Sequence, residues 1–77
     1  MNIESFIKEF AEQFDDIPTD AFRADTLFKE NEGWSSMTAL SIIAMVDQNY
    51  SVRLTGDEIK RSSTIQHIYD IVAQKAK

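Results

Sequence analysis

The chain has 77 residues, 43% of them hydrophobic, 10% aromatic and 27% charged, and carries a net charge of −5. That is room for one small domain, residues 1–77, and too little for a buried catalytic cleft with its own supporting shell. The charge density argues against a membrane protein. The negative balance argues against a nucleic-acid partner, because a phosphate backbone is held by Lys and Arg that displace its counterions. With no cysteine there are no disulfides, thiolate metal sites or cysteine nucleophiles, so the core must come from packing alone.

No positively charged and then apolar leader opens the sequence, and no apolar run approaches the ~18 residues that suggest a membrane span. A cytoplasmic location without membrane insertion is therefore expected. The charge is uneven: residues 1–35 hold nine acids against Lys8, Arg23 and Lys29, whereas residues 36–77 hold four acids against five bases.

Ile3, Phe6, Ile7, Phe10, Ala11 and Phe14 recur at helical spacing after Asn2, a candidate cap, which predicts an amphipathic first helix with a Phe-rich face. Asp15, Asp16 and Pro18 end it, since proline biases Ile17 away from helical angles. Asp15 and Asp16 match no calcium-loop spacing and read as a solvated loop. The chain then runs to Gly33 without a sustained period. A connection that long must pack its own side chains, and Phe22, Leu27 and Phe28 are expected to point inward.

Ser36 to Tyr50 has neither Gly nor Pro and is predicted to be a helix, with Ser35 or Ser36 as its cap. At ~100° per residue, Ala39, Ile42, Ile43, Val46 and Tyr50 fall on one face and Met37, Leu40 and Ala44 on another. So short a chain can hardly surround a helix on all sides, so the second stripe reads as a partner surface unless the preceding loop covers it. Thr55 and Glu58 have capping-box spacing ahead of a short helix ending near Lys60 or Arg61. Ser63 and Gln66 repeat that spacing before a final helix with the stripe Ile65, Ile68, Tyr69, Val72 and Ala76, and Lys75 and Lys77 suit its C-terminus.

No self-sufficient active site is legible. His67, the only histidine, lies on the outer side of the last helical pattern without a base-positioning partner, and Gly33 and Gly56 are too few for a phosphate-cradling loop. No His or carboxylate spacing suggests a zinc or di-iron site. No catalytic residue and no metal ligand is therefore assigned. Arg53, Lys60 and Arg61 read as solvated charge. Ser36 taken alone is a helix cap.

The wider frame is Phe28, Gly33, Trp34, Ser35, Ser36 and Met37, followed by Leu40, Ile42, Ile43, Val46, Tyr50, Val52, Leu54, Ile59, Thr64, Ile65 and Ile68. It resembles the acyl carrier protein family, in which Phe, four residues, Gly, any residue, Asp, Ser and Leu open the second helix. The resemblance covers most of the chain without a gap. It implies an all-α fold, an acyl-carrier-like four-helix bundle with three main helices, one short third helix and a long first loop.

It also implies that Ser36 carries 4′-phosphopantetheine, joined to the serine oxygen by a separate phosphopantetheinyl transferase that uses magnesium and coenzyme A. The protein would then be no enzyme. It would be a monomeric carrier presenting acyl thioesters to synthases, ligases and transferases, with Met37, Leu40, Ala44 and Asp47 facing those partners. Met45, Ile59 and Ile65 are candidates for walls that shelter an acyl chain, or are ordinary core.

Three positions depart from the family pattern: Ser35 stands in place of Asp, Met37 in place of Leu, and Glu32 where an apolar residue is usual. Asp47 is the one carboxylate between Ser36 and Tyr50. These departures point to a dedicated carrier in a specialised lipid or secondary-metabolite pathway. The alternative is a small helical interaction module that never receives the arm.

Overall fold

The computed structural model describes residues 2–14 and 19–76. Among them there are four α-helices and no strand, so the chain is an all-α bundle. Helix α1 is Ile3–Ala11, α2 is Ser36–Tyr50, α3 is Gly56–Arg61 and α4 is Ile65–Lys75, and two 3₁₀ turns, Thr19–Ala21 and Phe28–Glu30, interrupt the long first connection. The proposed helix break at Asp15, Asp16 and Pro18 and the terminal Lys77 lie outside the described residues.

Each helix starts where a side chain supplies the acceptor that its first amides lack. Asn2 Oδ1 accepts from the amides of Glu4 at 2.8 Å and Ser5 at 3.2 Å, opening α1. Thr55 and Glu58 form the reciprocal capping box of α3: Glu58 N donates to Thr55 Oγ1 at 3.2 Å, and Thr55 N to Glu58 Oε1 at 2.9 Å. For α4 the cap is Thr64 and not Ser63, since Thr64 Oγ1 accepts from His67 N at 3.1 Å. Gln66 is otherwise engaged: its amide donates to the Ala24 carbonyl at 2.8 Å, and its side chain to Asp70 at 2.7 Å.

Helix α1 packs on both α2 and α4, and α3 bridges α2 and α4. The interior is one cluster in which Phe6, Phe10, Phe28, Ile42, Val46, Ile65, Ile68 and Val72 are fully buried. The long connection is held by aromatic rings. Phe28 meets Phe10 edge-on at 5.1 Å between centroids and Trp34 at 5.0 Å, and Phe22 meets Phe14 at 4.9 Å. Edge-to-face pairs of this kind contribute about 0.5–1.5 kcal/mol each beyond the area they bury. Phe6 continues the column toward Tyr69 and Tyr50.

Leu27 departs from expectation. It is 48% exposed, because the chain turns into the 3₁₀ segment immediately after it and the adjacent Phe28 takes the interior position. Ala76 likewise lies outside the core, as the exposed C-cap of α4. Phe22 and Phe28 are buried as expected.

Two contacts away from the core tie helices together. Half-buried Tyr50 donates its hydroxyl to Glu9 Oε1, joining α2 to α1; burial first, and then the neighbouring carboxylate, raise the hydroxyl's pKa well above its ordinary value. Lys75 Nζ reaches Glu58 Oε1 at 2.5 Å and the Arg53 carbonyl at 2.7 Å, joining α4 to α3 and to the strand-free segment before it. Burial disfavours the charged Glu58 carboxylate, but the hydrogen bonds from Lys75 and Thr55 outweigh it and hold its pKa below the usual value.

A depressed carboxylate stabilises the fold above its unfolded pKa, about 4.3, and that contribution is lost as the pH falls through the lower folded value. Glu58→Gln is therefore expected to unfold at lower denaturant concentration than the parent at pH 7, with the gap narrowing as the pH is taken below about 4; urea titrations across that range check it. At the end of α2, Ser51 sits in the left-handed region, with φ 56 and ψ 36, where an L side chain is strained. Ser51→Gly should raise stability by about 0.5–1 kcal/mol, seen as a melting point higher by a few degrees.

Candidate functional site

The start of α2 is built by residues that approach from the loop. Asn31 Oδ1 accepts from Gly33 N at 2.7 Å, and the Asn31 carbonyl accepts from Trp34 N at 3.0 Å, so the chain turns sharply just before the helix. Trp34 is fixed by Phe28 and by Phe14. Buried Thr38 then closes the turn from the helix side, donating its hydroxyl to the Gly33 carbonyl at 2.8 Å.

Two adjacent serines divide the work at this point. Ser35 is the N-cap: its Oγ accepts from Thr38 N at 3.3 Å and lies 3.2 Å from Thr38 Oγ1. Ser36 is the first residue of α2, is exposed, and its hydroxyl is engaged by none of the hydrogen bonds among the described residues. The first intrahelical bond runs from Ala39 N to the Ser35 carbonyl at 3.0 Å, so the amides of Ser36 and Met37 come before the ladder. No acidic side chain occupies the first turn of α2. The helix therefore presents a free hydroxyl, unpaired amides and the positive end of its dipole together.

The outer face of α2 carries Met37, 77% exposed, and Leu40, 65% exposed. Ala44 and Asp47 are exposed on the same helix, so all four residues expected at a partner surface are accessible. The loop does not cover them. The opposite face is spent on the core: Ile42, Met45 and Val46 are buried, and Ala39, Ile43 and Tyr50 pack against the cluster. Ile59 and Ile65 are buried in the same cluster as Met45. His67, Arg53, Lys60 and Arg61 are all exposed.

Beside Ser36 lies a groove of about 310 Å3 lined by Gln13, Gly33, Ser35, Met37, Thr38 and Ser41. Neither Gln13 nor Thr38 stands out as a site residue in the sequence pattern. Thr38 is a polar residue on a helix dominated by apolar stripes, and its signal is local: it lies three residues after the cap. Gln13 had no local signal, because only packing of α1 on α2 brings it near residue 36.

Among the described residues no group of three or more His, Asp or Glu is placed to hold a metal ion, and no helix is long and apolar enough to cross a membrane. No protein-family model, curated protein or solved structure matches the chain.

Thr38→Val keeps the shape of the buried side chain but leaves the Gly33 carbonyl without its donor. It is expected to cost about 1–2 kcal/mol of stability. Amide hydrogen exchange at Gly33, Trp34 and Thr38, the bonded amides of this turn, should accelerate relative to the centre of α2, which separates a loosened turn from a uniformly weakened fold.

Proposed function

We propose that this chain is an acyl carrier protein whose Ser36 accepts a 4′-phosphopantetheine arm and holds acyl intermediates for partner enzymes. The observation that carries the reading is the contrast between the two serines: Ser35 is consumed as the cap, while Ser36 stands exposed and uncommitted at the first position of a 15-residue helix. The resemblance in residue pattern selects the same serine independently.

The residues present suit the group. A phosphodiester on Ser36 Oγ meets the free first-turn amides and the helix dipole, with no carboxylate in that turn to repel it. In the loading reaction, catalysed by a separate transferase with magnesium, Ser36 Oγ forms a bond to the phosphorus that carries pantetheine in coenzyme A. The bond from that phosphorus to the nucleotide breaks, 3′,5′-ADP departs, and the serine proton passes to a base on the transferase. Once attached, the arm supplies a terminal thiol, which forms the acyl thioesters that a cysteine-free chain cannot. The chain itself positions and presents, and catalyses nothing.

Met37, Leu40 and Ala44 form the face that docks on synthases, ligases or transferases, with Asp47 as its single charge. Covering Met37 and Leu40 supplies on the order of 3 kcal/mol of gross binding energy at ~25 cal/mol per Å2, before the costs of association. Affinity on this reading is modest and depends little on salt, because charge steering from one carboxylate is slight. A cytoplasmic monomer serving a specialised lipid or secondary-metabolite pathway fits this reading.

Incubation with coenzyme A, magnesium and a broad-specificity transferase should add one phosphopantetheine-sized increment to the intact mass. Ser36→Ala should abolish the increment and Ser35→Ala should retain it. If no transferase produces an increment, the carrier reading fails, and the exposed face of α2 is better explained as the contact surface of a small interaction module.

A further inference from the structure

The groove beside Ser36 differs in chemistry from two other grooves on the molecule. One, about 290 Å3, is lined by Glu4, Ile7, Lys8, Asp20 and Phe22; another, about 220 Å3, includes Lys29, Glu30 and Lys60. Both present full charges. The groove formed by Gln13, Gly33, Ser35, Met37, Thr38 and Ser41 has no ionisable side chain at all.

Its polar groups are partly spoken for. Thr38 donates to Gly33, Ser35 accepts from Thr38, and the Gln13 side-chain NH2 donates to the Glu9 carbonyl at 3.1 Å. These bonds hold the walls in place and leave two uncommitted groups, the Ser41 hydroxyl and the Gln13 carboxamide oxygen, since no hydrogen bond among the described residues uses either. Met37 adds an adaptable apolar edge. A neutral chain that alternates amides with methylene and methyl groups matches such a lining, because an amide N–H can donate to the Gln13 oxygen and an amide C=O can accept from the Ser41 hydroxyl while the carbons between them meet the apolar Met37 edge.

We propose that this groove is the resting site of the neutral pantetheine segment of the arm, lying between α2 and the end of α1. The proposal rests on the reading of Ser36 as the attachment point. Ser35 and Met37, the neighbours of Ser36 on either side, both contribute to the wall, so a chain tethered to Ser36 enters the groove without crossing the body of the protein. Tethering raises the effective concentration of the segment, so that weak contacts suffice to populate the docked state. Met37 belongs both to the groove and to the exposed docking stripe. A partner enzyme that covers Met37 therefore competes with the resting arm and releases it, which couples delivery to docking.

The test compares 15N,13C-labelled apo protein with the same protein loaded from unlabelled coenzyme A, with loading on Ser36 verified first by intact mass and peptide mapping. Isotope-filtered NOEs are expected from the geminal methyl groups of the arm to the Met37 ε-methyl and to the Ser41 and Gln13 side chains, together with shift changes at the Gln13 side-chain NH2. Gln13→Ala and Ser41→Ala, each checked for an unchanged melting curve, should lower the ratio of docked to free arm about fivefold per hydrogen bond removed. Fully loaded protein whose changes are confined to residues 35–37, or whose arm contacts Lys29 and Lys60 instead, overturns the resting-site proposal while leaving the carrier reading intact. Failure of the mass increment overturns both, and because mass is read before any spectrum the two failures are distinct.

Discussion

The structure depends on a column of aromatic rings that pins a long irregular connection onto the first helix. Phe10, Phe28 and Trp34 lie in series with centroid separations of 5.1 and 5.0 Å, and Phe14 and Phe22 extend the contact to the loop's earlier part. A connection this long in so small a domain would otherwise expose its backbone and leave α2 without a fixed starting point. With the rings interlocked, the residues just before Ser36 have one arrangement, and the Asn31 and Thr38 hydrogen bonds complete it.

That arrangement explains how a serine can remain chemically available at a helix start. Helix N-termini attract serine because its oxygen satisfies an orphan amide. Here the structural role falls to Ser35, and Ser36 is spared it. On the proposed reading, Ser35 stands where an acyl carrier protein usually has Asp. A neutral cap performs the same hydrogen-bonding task and removes a negative charge from beside the proposed phosphodiester, at the expense of a contact that some transferases would read.

The same economy shapes the rest of α2. One face is committed to the core through Ile42, Met45 and Val46, and the other leaves Met37 and Leu40 in water with Asp47 as the sole charge. Most of the acids lie in the first half of the chain, away from this helix in sequence. On the proposed reading, recognition relies on shape and apolar contact more than on long-range attraction, and the neutral groove at its edge offers the attached arm a place to wait.

Periodicity and capping chemistry are local, so the helices were legible in the residues themselves: the Phe stripe of α1 behind Asn2, the uninterrupted run of α2, the Thr55–Glu58 box of α3 and the apolar stripe of α4. Two unburied apolar side chains were legible for the same reason, since a 77-residue chain has too few neighbours to surround a helix bearing two stripes. What no local rule decides is how equivalent neighbours divide their roles. Phe28 went inward and Leu27 outward, Ser35 became a cap and Ser36 did not, and Thr64 displaced Ser63; beside these positions Phe28 packs on Phe10, Trp34 on Phe14, and the Gln66 amide bonds to the distant Ala24 carbonyl. Gln13 entered the groove next to residue 36 only through the packing of α1 on α2, and a contact between residues so distant along the chain exists only once the tertiary structure has closed.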